Sequence, residues 1–125
     1  MTISEAISRT DDVKPNAYSE ARKIMWLSEL DGMIKTEIID THQGGDSVSF
    51  NGYDIETDVL TTELIVPAPY DVLYLRYLEM KIDFSNGEYS KYNNSMMMYN
   101  AAYSAFENYY NREHMPISRG RRFVF

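Results

Sequence analysis

Tyr89-Ser-Lys-Tyr92-Asn-Asn-Ser-Met96-Met-Met-Tyr99-Asn-Ala-Ala-Tyr103-Ser-Ala-Phe106-Glu-Asn-Tyr-Tyr110 is the stretch that decides the fold. Its large side chains recur in alternating steps of three and four, which sets Tyr89, Tyr92, Met96, Tyr99, Tyr103, Phe106 and Tyr110 on one stripe of an α-helix. A second line, Met98, Ala102, Ala105 and Tyr109, broadens that face, and its alanines allow another helix to come close. Asn86-Gly87 offers a left-handed stop just before the helix, which starts near Glu88, and Met115-Pro116 ends it.

Moving towards the N-terminus, Val72 to Phe84 carries Leu73, Tyr77, Met80 and Phe84 on one stripe, widened by Leu75, Leu78 and Ile82. This spacing predicts a central helix buried on much of its circumference. Asp71 stands where a carboxylate favours a helix start, and Pro67-Ala-Pro69 predicts an extended approach to it. From Tyr18 to about Thr41, Ile24, Leu27, Leu30, Ile34 and Ile38 repeat at helical spacing with charged residues between them. Gly32 inside that helix costs about 1 kcal/mol relative to alanine, and His42-Gln43-Gly44-Gly45 closes it. Thr2-x-x-Glu5 is a capping-box pattern that predicts a short helix from Ile3 to Arg9, and Lys14-Pro15 breaks it. Between the long helices, Asp46 to Val66 changes character. Val48 and Phe50 alternate, Asn51-Gly52 is a turn signal, and Leu64-Ile65-Val66 is a short apolar run, so a β-hairpin or an extended loop is expected around residues 46–66. The fold class is therefore mainly α, a bundle of three to four helices with that insertion.

The chain has 125 residues, the size of one ordinary domain, and its 44% hydrophobic content supports a real core. We read a helical domain over residues 1–114 and an extended C-terminal arm over residues 115–125. Cysteine is absent, which removes disulfides, thiolate metal sites and cysteine nucleophiles together. The N-terminus shows no basic segment leading into an apolar one, and no window approaches the roughly 18 apolar residues of a membrane span. A cytoplasmic product with no membrane partner is expected.

Net charge is −7, which argues against broad phosphate binding. The distribution says more. No lysine or arginine lies between Lys35 and Arg76, a stretch holding Glu37, Asp40, Asp46, Asp54, Glu56, Asp58, Glu63 and Asp71. The end of the chain inverts this, with Arg119, Arg121 and Arg122 followed by Phe123-Val-Phe125 and no acid after Glu113. A basic segment ending in two phenylalanines is an unusual composition for a merely solvated tail, and we expect it to dock on a partner.

Chemistry finds little support in the sequence. His42 and His114 lie in different connections, neither with a second histidine at the spacing of a metal face. The acidic stretch lacks the spacing of a calcium loop, and Gly44-Gly45 is followed by Asp46 where a phosphate cradle would place a lysine. Nothing groups serine, histidine and aspartate into a triad. Stacking platforms for unpaired bases interleave cations, whereas Lys91 and Arg112 face Glu88, Glu107 and Glu113 along the tyrosine helix. No catalytic residue, cofactor or metal is expected. The tyrosine stripe reads first as packing between helices, with some of its members (Tyr92, Met96, Tyr99, Tyr103, Phe106, Tyr110) available to join subunits.

Three stretches together carry a resemblance: Tyr18-Ser-Glu-Ala-Arg-Lys-Ile-Met-Trp-Leu-Ser-Glu-Leu-Asp31, Val66-Pro-Ala-Pro-Tyr-Asp71, and the tyrosine- and asparagine-rich run from Asn86 to Asn111. Over roughly Asn16 to Pro116 the chain resembles small prophage proteins of Gram-positive bacteria that are similar to head–tail connector, or adaptor, proteins of long-tailed phages. The resemblance implies a helical subunit repeated in a ring, typically twelve-fold, in the virion neck beneath the portal. Its partners would be the portal, the tail or stopper proteins, and DNA passing without specific binding. It further implies that the terminal arm, with Arg119, Arg121, Arg122, Phe123 and Phe125, grips the portal. An acidic loop with Asp46, Asp54, Glu56 and Asp58 would suit a channel wall, because carboxylates repel phosphates. Two alternatives stand beside this reading: another neck component, such as a stopper or tail-completion protein, which tends towards β-rich folds, and an acidic regulatory protein that inhibits an enzyme by imitating DNA.

Overall fold

A computed structural model of the chain describes residues 1–117. Four α-helices form the body: α1 (Ile3–Val13), α2 (Glu20–Ile34), α3 (Val72–Ser85) and α4 (Tyr89–Glu113). The domain is mainly helical, as the periodicity predicts.

The capping box at Thr2 forms, with the Glu5 N–H donating to Thr2 Oγ1 (3.1 Å) and the Thr2 N–H donating to Glu5 Oε1 (2.9 Å). Helix α1 runs past Arg9 to Val13 because Thr10 is buried and its hydroxyl donates to the Ala6 carbonyl (2.9 Å). Pro15 then ends it. Ser19 caps α2 by accepting from the Arg22 N–H (3.2 Å). Helix α2 continues through a π-helical turn, Lys35–Ile39, so one rod extends almost to Thr41. Lys35 and Asp40 pair across this last turn.

Helix α3 is central, packing against all three other helices, and its longest contact is with α4. The core gathers Ile3, Ala6 and Ile7 from α1, Ile24, Leu27, Leu30 and Ile34 from α2, Leu73, Tyr74, Leu78 and Ile82 from α3, and Tyr99, Phe106 and Tyr110 from α4. Six members of the expected apolar lines fall outside it: Phe84, Tyr89, Tyr92, Met96, Met98 and Ala105. Phe84 is 54% exposed at the α3–α4 turn, where its ring meets Tyr89 and Tyr92 instead, and Met98 is 47% exposed.

Of the two forms expected over residues 46–66, the β-hairpin does not form and the segment is a loop. A short 3-10 turn, Gly45–Ser47, begins the segment, and successive turns follow. The backbone groups that a hairpin would pair with each other are taken elsewhere. Thr62 and Val59 carbonyls accept from the Ile3 and Ser4 N–H groups, and the Leu64 N–H donates to the Met1 carbonyl (3.0 Å). The Ile65 N–H donates to Asp31 (3.2 Å) and the Val66 N–H to the Tyr74 hydroxyl (2.8 Å). Leu64 and Val66 meanwhile sink into the core. With these groups claimed by α1, α2 and α3, they are not free to pair with one another as a hairpin would need. The turn signal Asn51-Gly52 does mark a bend, with Gly52 at φ +91°. Pro67 to Tyr70 also bends, the Tyr70 N–H donating to the Pro67 carbonyl (3.0 Å), where an extended approach was expected. Among the described residues β pairing is confined to two isolated antiparallel bridges, Thr2 with Glu63 and His42 with Pro116.

Candidate functional site

From Tyr99 onward the tyrosine stripe of α4 turns inward, while Tyr89 at its start is exposed. Tyr99 lies 5.2 Å from the Tyr77 ring and 5.9 Å from Tyr103 (centroid to centroid). Phe106, fully buried, sits among Tyr70, Tyr109 and Tyr110. Tyr92 and Met96 are half-buried, with Tyr92 against Phe84. The Tyr103 hydroxyl donates to Glu37 (3.2 Å), tying α4 to the π-helical end of the α2 rod. Burial raises the phenols of Tyr77 (to about 12), Tyr99 and Tyr103 above the ordinary tyrosine range, and of the three only the Tyr103 hydroxyl has an acceptor among the described residues.

Three polar nodes hold the helices in register. Asp31 is fully buried, accepting from the Tyr74 hydroxyl on Oδ1 (2.6 Å) and from the Tyr53 hydroxyl (2.5 Å) and Ile65 N–H on Oδ2. It thereby joins α2, the 53–66 segment and α3. Burial pushes its carboxyl above the ordinary aspartate range, against the opposing effect of those donors, and burial likewise raises both tyrosines. Asp83, also buried, accepts from Lys14 Nζ (2.7 Å) and Ser95 Oγ (2.5 Å), joining α1, α3 and α4. His42, 5% exposed, donates from Nδ1 to the Ile38 carbonyl (2.6 Å), places Nε2 2.7 Å from Asn111 Oδ1 and meets the Tyr110 ring edge-on.

Neither Asp31 nor Asp83 is among the site residues expected from the sequence. Asp31 carried a usable signal, since it follows Leu27 and precedes Ile34 at helical spacing and so stands on the apolar stripe of α2. Asp83 carried none, because its partner Lys14 is distant in sequence.

The surface is set by two segments. The outward face of α4 bears Asn93, Met97, Ala101 and Ser104, all exposed, and no charged residue occurs between Lys91 and Glu107. The loop over residues 54–61 is a tandem of two turns with the pattern Asp-x-x-Thr, Asp54-Ile-Glu-Thr57 and Asp58-Val-Leu-Thr61. In the first the Thr57 N–H donates to the Asp54 carbonyl (3.1 Å), and in the second the Thr62 N–H donates to the Asp58 carbonyl (3.0 Å). Each aspartate folds back on its own turn, Asp54 Oδ1 accepting from the Glu56 N–H (2.8 Å) and Asp58 Oδ1 from the Leu60 N–H (3.0 Å). This fixes the loop with Ile55 and Leu60 outward, 77% and 73% exposed, amid the exposed carboxylates of Asp54, Glu56 and Asp58. Asp46 lies apart from them, exposed on the 3-10 turn.

Beyond α4 the chain is anchored once more. The Gln43 N–H donates to the Met115 carbonyl (2.7 Å) and the Ile117 N–H to the Thr41 carbonyl (2.8 Å), while His114 stacks on Tyr110. The first residues of the expected arm thus lie on the body. Arg119, Arg121, Arg122, Phe123 and Phe125 lie outside the described residues. Among the described residues no helix is long and apolar enough to cross a membrane, and no group of three or more His, Asp or Glu side chains is placed to hold a metal ion. Comparison of the chain with protein-family profiles, with curated proteins and with solved structures finds no match.

Proposed function

We propose that the protein is a structural virion subunit, a head–tail connector that joins the portal to the tail in the neck of a long-tailed phage. It is repeated there as a ring of the twelve-fold kind that the resemblance implies, and forms part of the DNA conduit. The observation that supports this best is where the resembling stretches fall. Tyr18 to Asp31 covers most of α2, Val66 to Asp71 spans the bend into α3, and Asn86 to Asn111 covers most of α4, so the likeness follows the framework of the domain. A mainly helical body also favours a connector over a stopper or tail-completion protein, which would be rich in strand. The exposed carboxylates of Asp46, Asp54, Glu56 and Asp58 suit a wall past which DNA slides without adhering.

The test is to mix the purified chain with DNA-filled, tailless heads of the matching phage and sediment them. The chain should travel with the heads, and only with heads that carry a portal. If it stays in the supernatant while those heads accept tails, the connector reading fails. The same exposed carboxylates favour a second reading, an acidic inhibitor that imitates DNA. That reading predicts inhibition of a DNA-binding enzyme by the isolated chain, with no affinity for heads.

A further inference from the structure

The chain holds two Asn-Gly pairs, Asn51-Gly52 and Asn86-Gly87, and both lie exposed outside the helices. An asparagine followed by glycine is chemically labile, because no Cβ shields the next backbone nitrogen. That nitrogen attacks the side-chain Cγ, a C–N bond closes a cyclic imide, and the side-chain nitrogen leaves as ammonia, carrying away the proton lost from the backbone N–H. Water then opens the imide at either carbonyl and leaves aspartate or isoaspartate. The reaction needs a side-chain amide free to turn and a glycine N–H free of hydrogen bonds.

Asn86 meets neither condition. Its Oδ1 accepts from the Tyr18 hydroxyl (2.7 Å), its Nδ2 donates to Glu88 Oε1 (3.3 Å), and the Gly87 N–H donates to the Phe84 carbonyl (3.0 Å). Asn51 meets both. Among the described residues neither its side-chain amide nor the Gly52 N–H has a hydrogen-bond partner, and the next engaged N–H is that of Tyr53, on Ser28 Oγ (3.0 Å). We infer that Asn51 is a site of spontaneous deamidation in the folded chain, and that the fold protects Asn86.

Either product places a further carboxylate just ahead of Asp54, Glu56 and Asp58, in a stretch without lysine or arginine from residue 36 to 75, so ageing makes this surface more acidic. The two products differ in what they do to the backbone. Asn51 and Gly52 lie between two residues held on α2. The Phe50 ring packs beside Gly32 and edge-on to Tyr53 (5.1 Å), and Tyr53 is bonded to Ser28 and through its hydroxyl to Asp31 (2.5 Å). Aspartate keeps the length of the chain between these anchors. Isoaspartate routes the main chain through the former side chain and adds a methylene carbon, which the anchored bend must absorb. The isoaspartyl form alone therefore loses stability.

The test follows both sites in one sample. The full chain is incubated at mildly alkaline pH, folded and in urea, and peptide mapping by mass spectrometry resolves asparagine, aspartate and isoaspartate at each position. In urea the two sites, which share the same dipeptide, should react at comparable rates. In the folded chain Asn51 should keep a rate close to its rate in urea, while Asn86 slows by more than about tenfold, because its hydrogen bonds must open before it can react. Asn51→Gln, at an exposed position, should abolish the new acidic species with the helical circular-dichroism spectrum unchanged. The isoaspartyl form, separated by ion exchange, should unfold at lower urea than Asn51→Asp, and equal midpoints would remove the claim of an anchored bend. The proposal is overturned if folding slows Asn51 as much as Asn86, or if Asn86 reacts as fast as Asn51 in the folded chain.

Discussion

A methyl group added at Gly32 would stand 3.6 Å from the Phe50 ring, an ordinary contact, whereas one added at Gly45 would stand 2.4 Å from the Ile39 carbonyl oxygen. Backbone cannot retreat as a flexible side chain can. Gly32→Ala should therefore stabilise the domain by about 0.5–1 kcal/mol through a less disordered unfolded chain, while Gly45→Ala should destabilise it by about 1–3 kcal/mol. Urea midpoints of the two variants should move in opposite directions. Asp31 makes a different prediction at the same scale. Its folded carboxyl is raised, so the stability linked to it is fully present below the unfolded value of about 3.9 and is lost as pH rises through the folded value. Asp31→Asn should remove that component, and superimposable stability–pH curves for the variant and the unaltered chain would contradict it.

Helix α4 is divided along its length into a face that holds the domain together and a face that meets solvent. Phe106→Ala should cost about 3–5 kcal/mol, since the ring is buried among Tyr70, Tyr109 and Tyr110, whereas Met97→Ala should stay within about 0.5 kcal/mol in the monomer. Guanidinium titrations of both variants decide this. The stripe of α4 was legible because its periodicity depends on neighbours three and four residues away. Helices α2 and α3 were legible for the same reason, α1 from its capping box at Thr2-x-x-Glu5, and the stops at Pro15 and at Gly87, with its φ of +73°, from the backbone limits of proline and the freedom of glycine. The 46–66 segment was not. Alternation at Val48 and Phe50 suggested local pairing, but the groups that claim its backbone are Met1, Ile3, Ser4, Asp31 and Tyr74, all outside it. The candidate surfaces follow the same division. The acidity of residues 46–58 could be read directly, while the outward setting of Ile55 and Leu60 depends on turn geometry that composition does not encode.

The whole domain shares one core, with α3 touching every other helix, and the polar nodes at Asp31 and Asp83 each span three segments. No helix can leave without breaking contacts in the others. Unfolding should therefore be a single transition. Trp26, the one tryptophan, is 5% exposed and lies edge-on to Tyr18, so its fluorescence reports the α1–α2 side, while far-ultraviolet circular dichroism is weighted towards the long α4. The two denaturation curves should coincide, and a separation would show that α4 detaches independently. At the same scale, the short antiparallel pairing of residues 115–117 with 41–43 has a mechanical consequence. Tension applied through the C-terminus is taken first by the two hydrogen bonds at Met115 and Ile117 and passed into the end of the α2 rod. The last turn of α4 is thus relieved of load, and a pull on the tail strains two parts of the body before it can unwind either.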